Sequence, residues 1–135
     1  EVFQMAFVDE LLQKSKAANK TIVLCEGEDK RVVDAASKIV KEGIAKIILI
    51  GSDADIKASG STADLSGVTV IDPATDVNAD KYAELLFKAR EGKINKKTGQ
   101  PEYADVAAAK AAILKDQGTP ACYALSALFQ KQTDF

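Results

Sequence analysis

Arg31 and Arg90 are the two side chains of this chain best placed in the sequence to hold an anionic group, and each stands at a helix end. Arg31 closes the charged run Glu26-Gly-Glu-Asp-Lys-Arg31, which follows a short apolar stretch from Ile22 to Cys25. Glu28 or Asp29 can cap a helix there, and the first turn of a helix offers backbone N–H donors that favour an anion. The same residues support a second reading, an ion pair of Arg31 with Glu26, Glu28 or Asp29 that fixes the turn. Three carboxylates so close together would also repel a lone phosphate. Arg90 ends a helical pattern with Tyr82, Leu85, Leu86 and Ala89 on one face. Its planar fork can pair with a phosphate, or it can complement the helix dipole from solvent. Ser52, Asp53 and Asp55 follow a second apolar stretch and suit helix capping, with ligand contact at the same sheet edge as the alternative.

Other chemistry is excluded or unsupported. The chain has no histidine, which removes Ser-His-Asp triads, Cys-His pairs and histidine metal sites. Cys25 and Cys122 are far apart in sequence and give neither a disulfide framework nor a zinc spacing. Cys25 reads as an inert apolar residue. Gly27 alone is no dinucleotide fingerprint, and no phosphate-binding loop of the Gly-x-x-x-x-Gly-Lys-Ser/Thr type exists. Among 20 acidic residues no pair stands out for general acid and base work. Tyr82, Tyr103 and Tyr123 read as aromatics at the edge of a core. No catalytic residue and no metal site is therefore assigned.

The elements that position these residues follow an alternating pattern. At 135 residues and 47% apolar content the chain suits one domain with a real core. Glu1-Val-Phe-Gln4 reads as a cloning remnant, and residues 6–18 as an amphipathic helix with Val8, Leu11, Leu12 and Ser15 on one face. Ile22–Cys25 is expected as a fully buried strand. A helix with Val32, Val33, Ala36, Ile39 and Val40 on one face follows, ended by Gly43, and then a second buried strand from Ala45 to Ile50. Together they make a βαβ unit that puts Glu26 to Arg31 at the carboxyl edge of the sheet, where α/β proteins hold ligands. Val68–Ile71 is a third strand stopped by Pro73, and the helix ending at Arg90 is consistent with a third crossover. Gly92–Pro101 is a loop, turned at Asn95–Gly99, whose lysines read as solvated. Tyr103–Lys115 is an Ala-rich helix, and Thr119 with Pro120 can open a last helix whose apolar face includes Leu125, Leu128 and Phe129.

Five ordered segments carry a family resemblance: Met5-Ala-Phe-Val-Asp-Glu-Leu-Leu-Gln-Lys-Ser-Lys16, Lys20-Thr-Ile-Val-Leu-Cys-Glu-Gly-Glu-Asp-Lys-Arg31, Glu42-Gly-Ile-Ala-Lys-Ile-Ile-Leu-Ile-Gly51, Ile71-Asp-Pro73 and Tyr82-Ala-Glu-Leu-Leu-Phe-Lys-Ala-Arg90. In this order they resemble the amino-terminal part of phosphate acetyltransferases (phosphotransacetylases) and, more loosely, phosphate butyryltransferases. The resemblance implies an α/β three-layer domain with a mostly parallel sheet, like the first domain of the isocitrate-dehydrogenase-like fold. It also implies acetyl transfer between coenzyme A and inorganic phosphate in the complete enzyme. Arg90 matches the family arginine associated with coenzyme A, and Arg31 an arginine of the first turn, so both become candidate CoA or phosphate ligands by resemblance.

Departures from the family shape the remaining expectations. Cys25 stands where the family usually has proline. The family's Gly-x-Ala-Asp-Gly-x-Val-Ser-Gly stretch does not follow Lys93, and the residues that carry the family's chemistry are absent. Residues 5–93 are thus family-like and 94–135 a divergent helical tail of one 5–135 domain, a fragment or shortened gene product expected to be inactive alone. The alternative is a free-standing α/β binding or interaction module without acyltransferase activity. CoA, acetyl-CoA and phosphate are the implied reactants, with no further cofactor, and a homodimer is compatible with the resemblance. Lys and Arg total 18 against 20 acidic residues, a net charge of −2, with no clustered basic face for nucleic acid. No apolar run spans a bilayer and no signal peptide is seen, which predicts a cytoplasmic location.

Overall fold

Three parallel strands organise the chain in the computed structural model, which describes residues 2–116 and 118–133, with side chains for 4–116, 118 and 120–128. Strands β1 (Thr21–Leu24), β2 (Lys46–Ile50) and β3 (Thr69–Ile71) lie in the order β1-β2-β3. Thr21 pairs with Lys46 and Leu24 with Leu49, while Ile48 pairs with Thr69 and Ile50 with Ile71. Helices α1 (Val2–Ala18), α2 (Lys30–Lys41), α3 (Asp53–Ala58), α4 (Ala79–Ala89), α5 (Val106–Lys115) and α6 (Thr119–Thr133) complete the element order.

Position in the sheet decides which strand is dry. β2, covered on both edges and both faces, is buried from Ile47 to Ile50. Because side chains alternate across a strand, Ile48 and Ile50 enter one core with Tyr82, Leu86, Ile113 and Leu125 from α4, α5 and α6. Ile47 and Leu49 point to the opposite face, where α2 packs on β2 and buries Val33 and Ala36. The result is the expected three-layer α/β arrangement with a parallel sheet. β1 corrects the expectation of a fully buried strand. It is an edge strand with Thr21 and Ile22 exposed and only Val23 and Leu24 half-buried, since just one neighbour covers it.

Local chemistry explains the helix ends. Asp29 caps α2 by accepting from the Arg31 amide at 2.8 Å, and Ser52 with Asp55 forms a reciprocal capping box on α3. Ser37 is the one buried polar residue of α2, and its hydroxyl donates to the Asp64 carbonyl at 2.6 Å. Two other expectations change. The helix α4 is followed by an antiparallel bridge between Ile94 and Pro101 and then by α5, so among the described residues it does not cross to a fourth strand. The helix expected over 6–18 starts at Val2, and its Val8 and Leu11 remain exposed rather than forming a buried face. The capping role predicted for Thr119 and the apolar contact predicted for Phe129 lie outside the described side chains.

Candidate functional site at the carboxyl edge of the sheet

The exits of β1 and β2 meet where two glycines touch. Gly27 donates its amide to the Ile50 carbonyl at 3.1 Å, which ties the first turn to the end of the second strand. A Cβ on Gly27 would sit 3.0 Å from the Ile50 carbonyl oxygen and 3.2 Å from the Gly51 Cα, and one on Gly51 would sit 3.0 Å from the Gly27 Cα. No side chain fits between these backbones. The approach throws Glu26 into a left-handed conformation, φ 65°, an unfavourable geometry for a residue with a Cβ. Glu26 and Gly27 thus form a tightly specified corner, and Asp29 starts α2 directly behind it.

Besides a groove of about 340 Å³ that Glu26 and Glu28 share with Asp55 and the end of α5 at Leu114 and Lys115, two cavities open around this corner. The larger, about 630 Å³, is lined by Leu24, Cys25, Glu26, Val32, Cys122 and Tyr123 among others. A second groove of about 310 Å³ runs along the α2 side and shares Leu24, Glu26 and Val32 with the first, adding Asp29 and Arg31. Ser52 and Asp53 line neither; they border a separate pocket at the exits of β2 and β3 with Asp72 and Thr75. The capping reading of Ser52 and Asp55 is the observed one.

Arg31 is paired within its own turn. Its Nη2 lies 2.6 Å from Asp29 Oδ2 and its Nε 3.1 Å from Oδ1, while the side chain is 90% exposed. Of the carboxylates weighed as partners, Asp29 is therefore the one engaged. The Arg31 hydrogen bonds hold the Asp29 carboxyl down at about 2. In return Asp29, by hydrogen bond and by charge, raises the Arg31 pKa. The pair organises the helix start at the water boundary.

Arg90 is held more deeply and by a partner not apparent in the sequence. Its Nη2 donates to Glu102 Oε1 at 2.8 Å, with the arginine side chain 41% and the glutamate 25% exposed. The Ile94–Pro101 bridge and the Glu102 amide bond to the Lys93 carbonyl, 2.9 Å, fold the loop back so that Glu102 meets the end of α4. The guanidinium also lies 5.9 Å from the centroid of Tyr123 on α6, within reach of cation–π attraction. Tyr123 lines the larger cavity, so Arg90 borders that space through the ring. Burial first, and the Glu102 charge second, raise the Tyr103 phenol beside this pair. Arg31 and Arg90 are not brought into one pocket: one serves the α2 groove and the other the α4–α6 side.

The cysteines require a correction. Although 97 residues apart, Cys25 and Cys122 are joined as a disulfide, with Cα atoms 6.3 Å apart. Sequence spacing gave no sign of it, because the contact exists only once α6 lies across β1. Among the described residues no group of three His, Cys, Asp or Glu side chains is arranged to hold a metal ion, and no helix is long and apolar enough to cross a membrane.

The family described as phosphate acetyl/butaryl transferase matches residues 6–122 of the chain. The chain belongs to this family. A phosphate acetyltransferase of Acetivibrio thermocellus is 40% identical over 89 residues, covering 66% of this chain and 27% of its own length. One from Clostridium acetobutylicum is 36% identical over 91 residues, with the same 66% and 27% coverage. The EutD phosphotransacetylase from Staphylococcus aureus superposes with a TM-score of 0.57 at 28% identity, over 71% of this chain and 30% of that one. This phosphate acetyl/butaryl transferase family member thus spans about a quarter of the length of the curated relatives it matches. Its corner at Glu26–Gly27, the α2 start and the Arg90 helix end all lie within the matched residues.

Proposed function

We propose that the chain is the amino-terminal α/β unit of a phosphate acetyltransferase, and that it forms one wall of the cleft in which acetyl passes between coenzyme A and inorganic phosphate. The observation that carries this reading is the family match over residues 6–122, with relatives that are phosphate acetyltransferases and are matched over 27% of their length. In the complete reaction a phosphate oxygen bonds to the acetyl carbonyl carbon and the carbon–sulfur bond breaks. The proton of the attacking phosphate goes to the departing thiolate, so acetyl phosphate and CoA result. Catalysis of such a transfer is mostly alignment and stabilisation of the developing oxyanion.

In this reading the chain contributes anion binding and no reacting group. Arg90 receives a CoA phosphate by exchanging its Glu102 partner for the ligand, with Tyr123 keeping the guanidinium in place. Arg31, exposed and backed by the α2 N-terminus, supplies a weaker phosphate contact in competition with Asp29. CoA is a substrate here, no further cofactor is assigned, and the setting is cytoplasmic.

A graft tests the reading. The segment of the Acetivibrio thermocellus enzyme that matches this chain is replaced by residues 6–122, and acetyl phosphate formation is measured with CoA release. The expected result is a folded chimera that turns over. A folded chimera with an intact remaining portion and no turnover would reject it.

A further inference from the structure

We propose that Cys25 and Cys122 are a redox-active dithiol, a site that exchanges electrons with low-molecular-weight thiols and disulfides and thereby fastens or releases α6 at the carboxyl end of β1. The inference does not depend on the acetyltransferase reading.

Three features of the pair support it. First, the bond joins elements that pack on each other only in part. Cys25 follows β1, an edge strand half open to solvent, and Cys122 lies in the first turns of α6, which packs chiefly on α4 and only partly on β1. Opening it leaves α6 anchored by Ala121, Ala124 and Leu125 in the core. Second, the sulfurs are reachable: both residues are half-buried and both line the open 630 Å³ cavity. A small thiolate can enter there, whereas a structural disulfide is usually sealed in. Third, the opened form is already provided for. The Cys25 sulfur lies 3.1 Å from the Gly118 carbonyl oxygen and the Cys122 sulfur 4.0 Å from that of Val23, so each thiol has a carbonyl acceptor close by once the sulfurs move apart. A pair that is satisfied both bonded and open is suited to cycling between the two.

The chemistry balances as ordinary exchange. A small thiolate attacks one sulfur, the cysteine disulfide breaks, and the second cysteine leaves as a thiolate that takes up a proton. A second small thiol resolves the mixed disulfide, giving two protein thiols and one small-molecule disulfide. Two electrons pass to the protein in this direction. Oxidation is the reverse, with the small-molecule disulfide as oxidant. In a reducing compartment such a bond would act as a switch, because permanent disulfides are rare there.

The test uses the full chain equilibrated across a series of reduced-to-oxidised glutathione ratios, then acid-quenched, alkylated and weighed by mass spectrometry. The expected result is one transition from doubly alkylated protein to unalkylated, internally bonded protein. The oxidised form should melt higher by roughly 5–15 °C, since the bond joins residues 97 apart in a chain of 135. Cys25→Ser and Cys122→Ser should each abolish that difference and leave a single alkylatable cysteine. Double alkylation at every ratio, or oxidation only to separate glutathione adducts or to cross-linked dimers, would overturn the proposal without recourse to the variants. Equal melting of the two forms would overturn the claim that the bond fastens α6.

Discussion

Replacing Gly27 by alanine adds one methyl group at the point where the β1 and β2 exits touch, and its effect can be worked out from the backbone alone. The new Cβ meets the Ile50 carbonyl oxygen at 3.0 Å and the Gly51 Cα at 3.2 Å, both main-chain atoms, with Ile56 Cγ1 at 3.4 Å behind them. A rotamer change relieves none of the first two contacts, so the strands must part or the Gly27–Ile50 hydrogen bond must lengthen. Overpacking of this kind costs about 1–3 kcal/mol. The loss of glycine's freedom in the unfolded chain returns roughly 0.4–1 kcal/mol. A net loss of about 1–2 kcal/mol follows, which for a chain of this size lowers the melting temperature by roughly 4–7 °C. The control is Gly60→Ala, where nothing lies within 4 Å and the cost comes only from φ 72°. Circular dichroism melts of the parent and both variants decide the matter. A Gly27→Ala protein that melts with the parent would refute the close approach, and with it the corner that positions Glu26 and Arg31.

Further outcomes follow from individual contacts. Leu125→Ala, at a side chain only 2% exposed against α4 and the sheet, should cost about 2–5 kcal/mol, whereas Leu114→Ala at an exposed site should change the denaturation midpoint little. Asp29 has its carboxyl depressed to about 2; a depressed acid stabilises the fold above its unfolded value near 3.8 and loses that contribution as pH falls through 2, so Arg31→Ala should move the Asp29 titration upward in a carboxylate NMR series and make acid unfolding begin at higher pH. Glu102→Gln removes the charge that holds Arg90 at 2.8 Å and should tighten CoA binding in a calorimetric titration. Tyr123→Leu should weaken it by about 0.5–1 kcal/mol through loss of the ring under the guanidinium.

What the sequence disclosed depended on whether a feature was local. The α2 face, its Asp29 cap and the Ser52 cap of α3 were legible because helix spacing and capping act within one turn. The dryness of β2 was legible from Ile47 to Ile50, and the parallel sheet followed from the alternation of strands and helices. The half-exposure of β1 was not, since a short apolar run reads the same at the edge of a sheet as at its centre. Nor was the Cys25–Cys122 bond, which depends on where α6 lands. Both arginines stood out in the sequence as candidates, but Glu102, the partner of Arg90, did not. A glutamate after a lysine-rich loop has nothing to distinguish it until the Ile94–Pro101 bridge returns the chain to Arg90. The glycine at position 51, twenty-four residues past Gly27, was the one available hint of a close backbone approach, and its meaning needed the pairing of two strands.

The central claim, that this α/β unit presents Arg90 to coenzyme A, is tested most directly by isothermal titration of CoA into the parent chain and its Arg90→Ala and Arg90→Lys variants. The account predicts binding by the parent, a loss of about 1.5–3 kcal/mol for alanine, and partial recovery for lysine, whose point charge replaces a planar fork. Circular dichroism spectra of the parent type should accompany these losses, with a lower melting temperature for Arg90→Ala because Glu102 loses its partner. No binding by the parent, or equal binding by parent and Arg90→Ala, would contradict it.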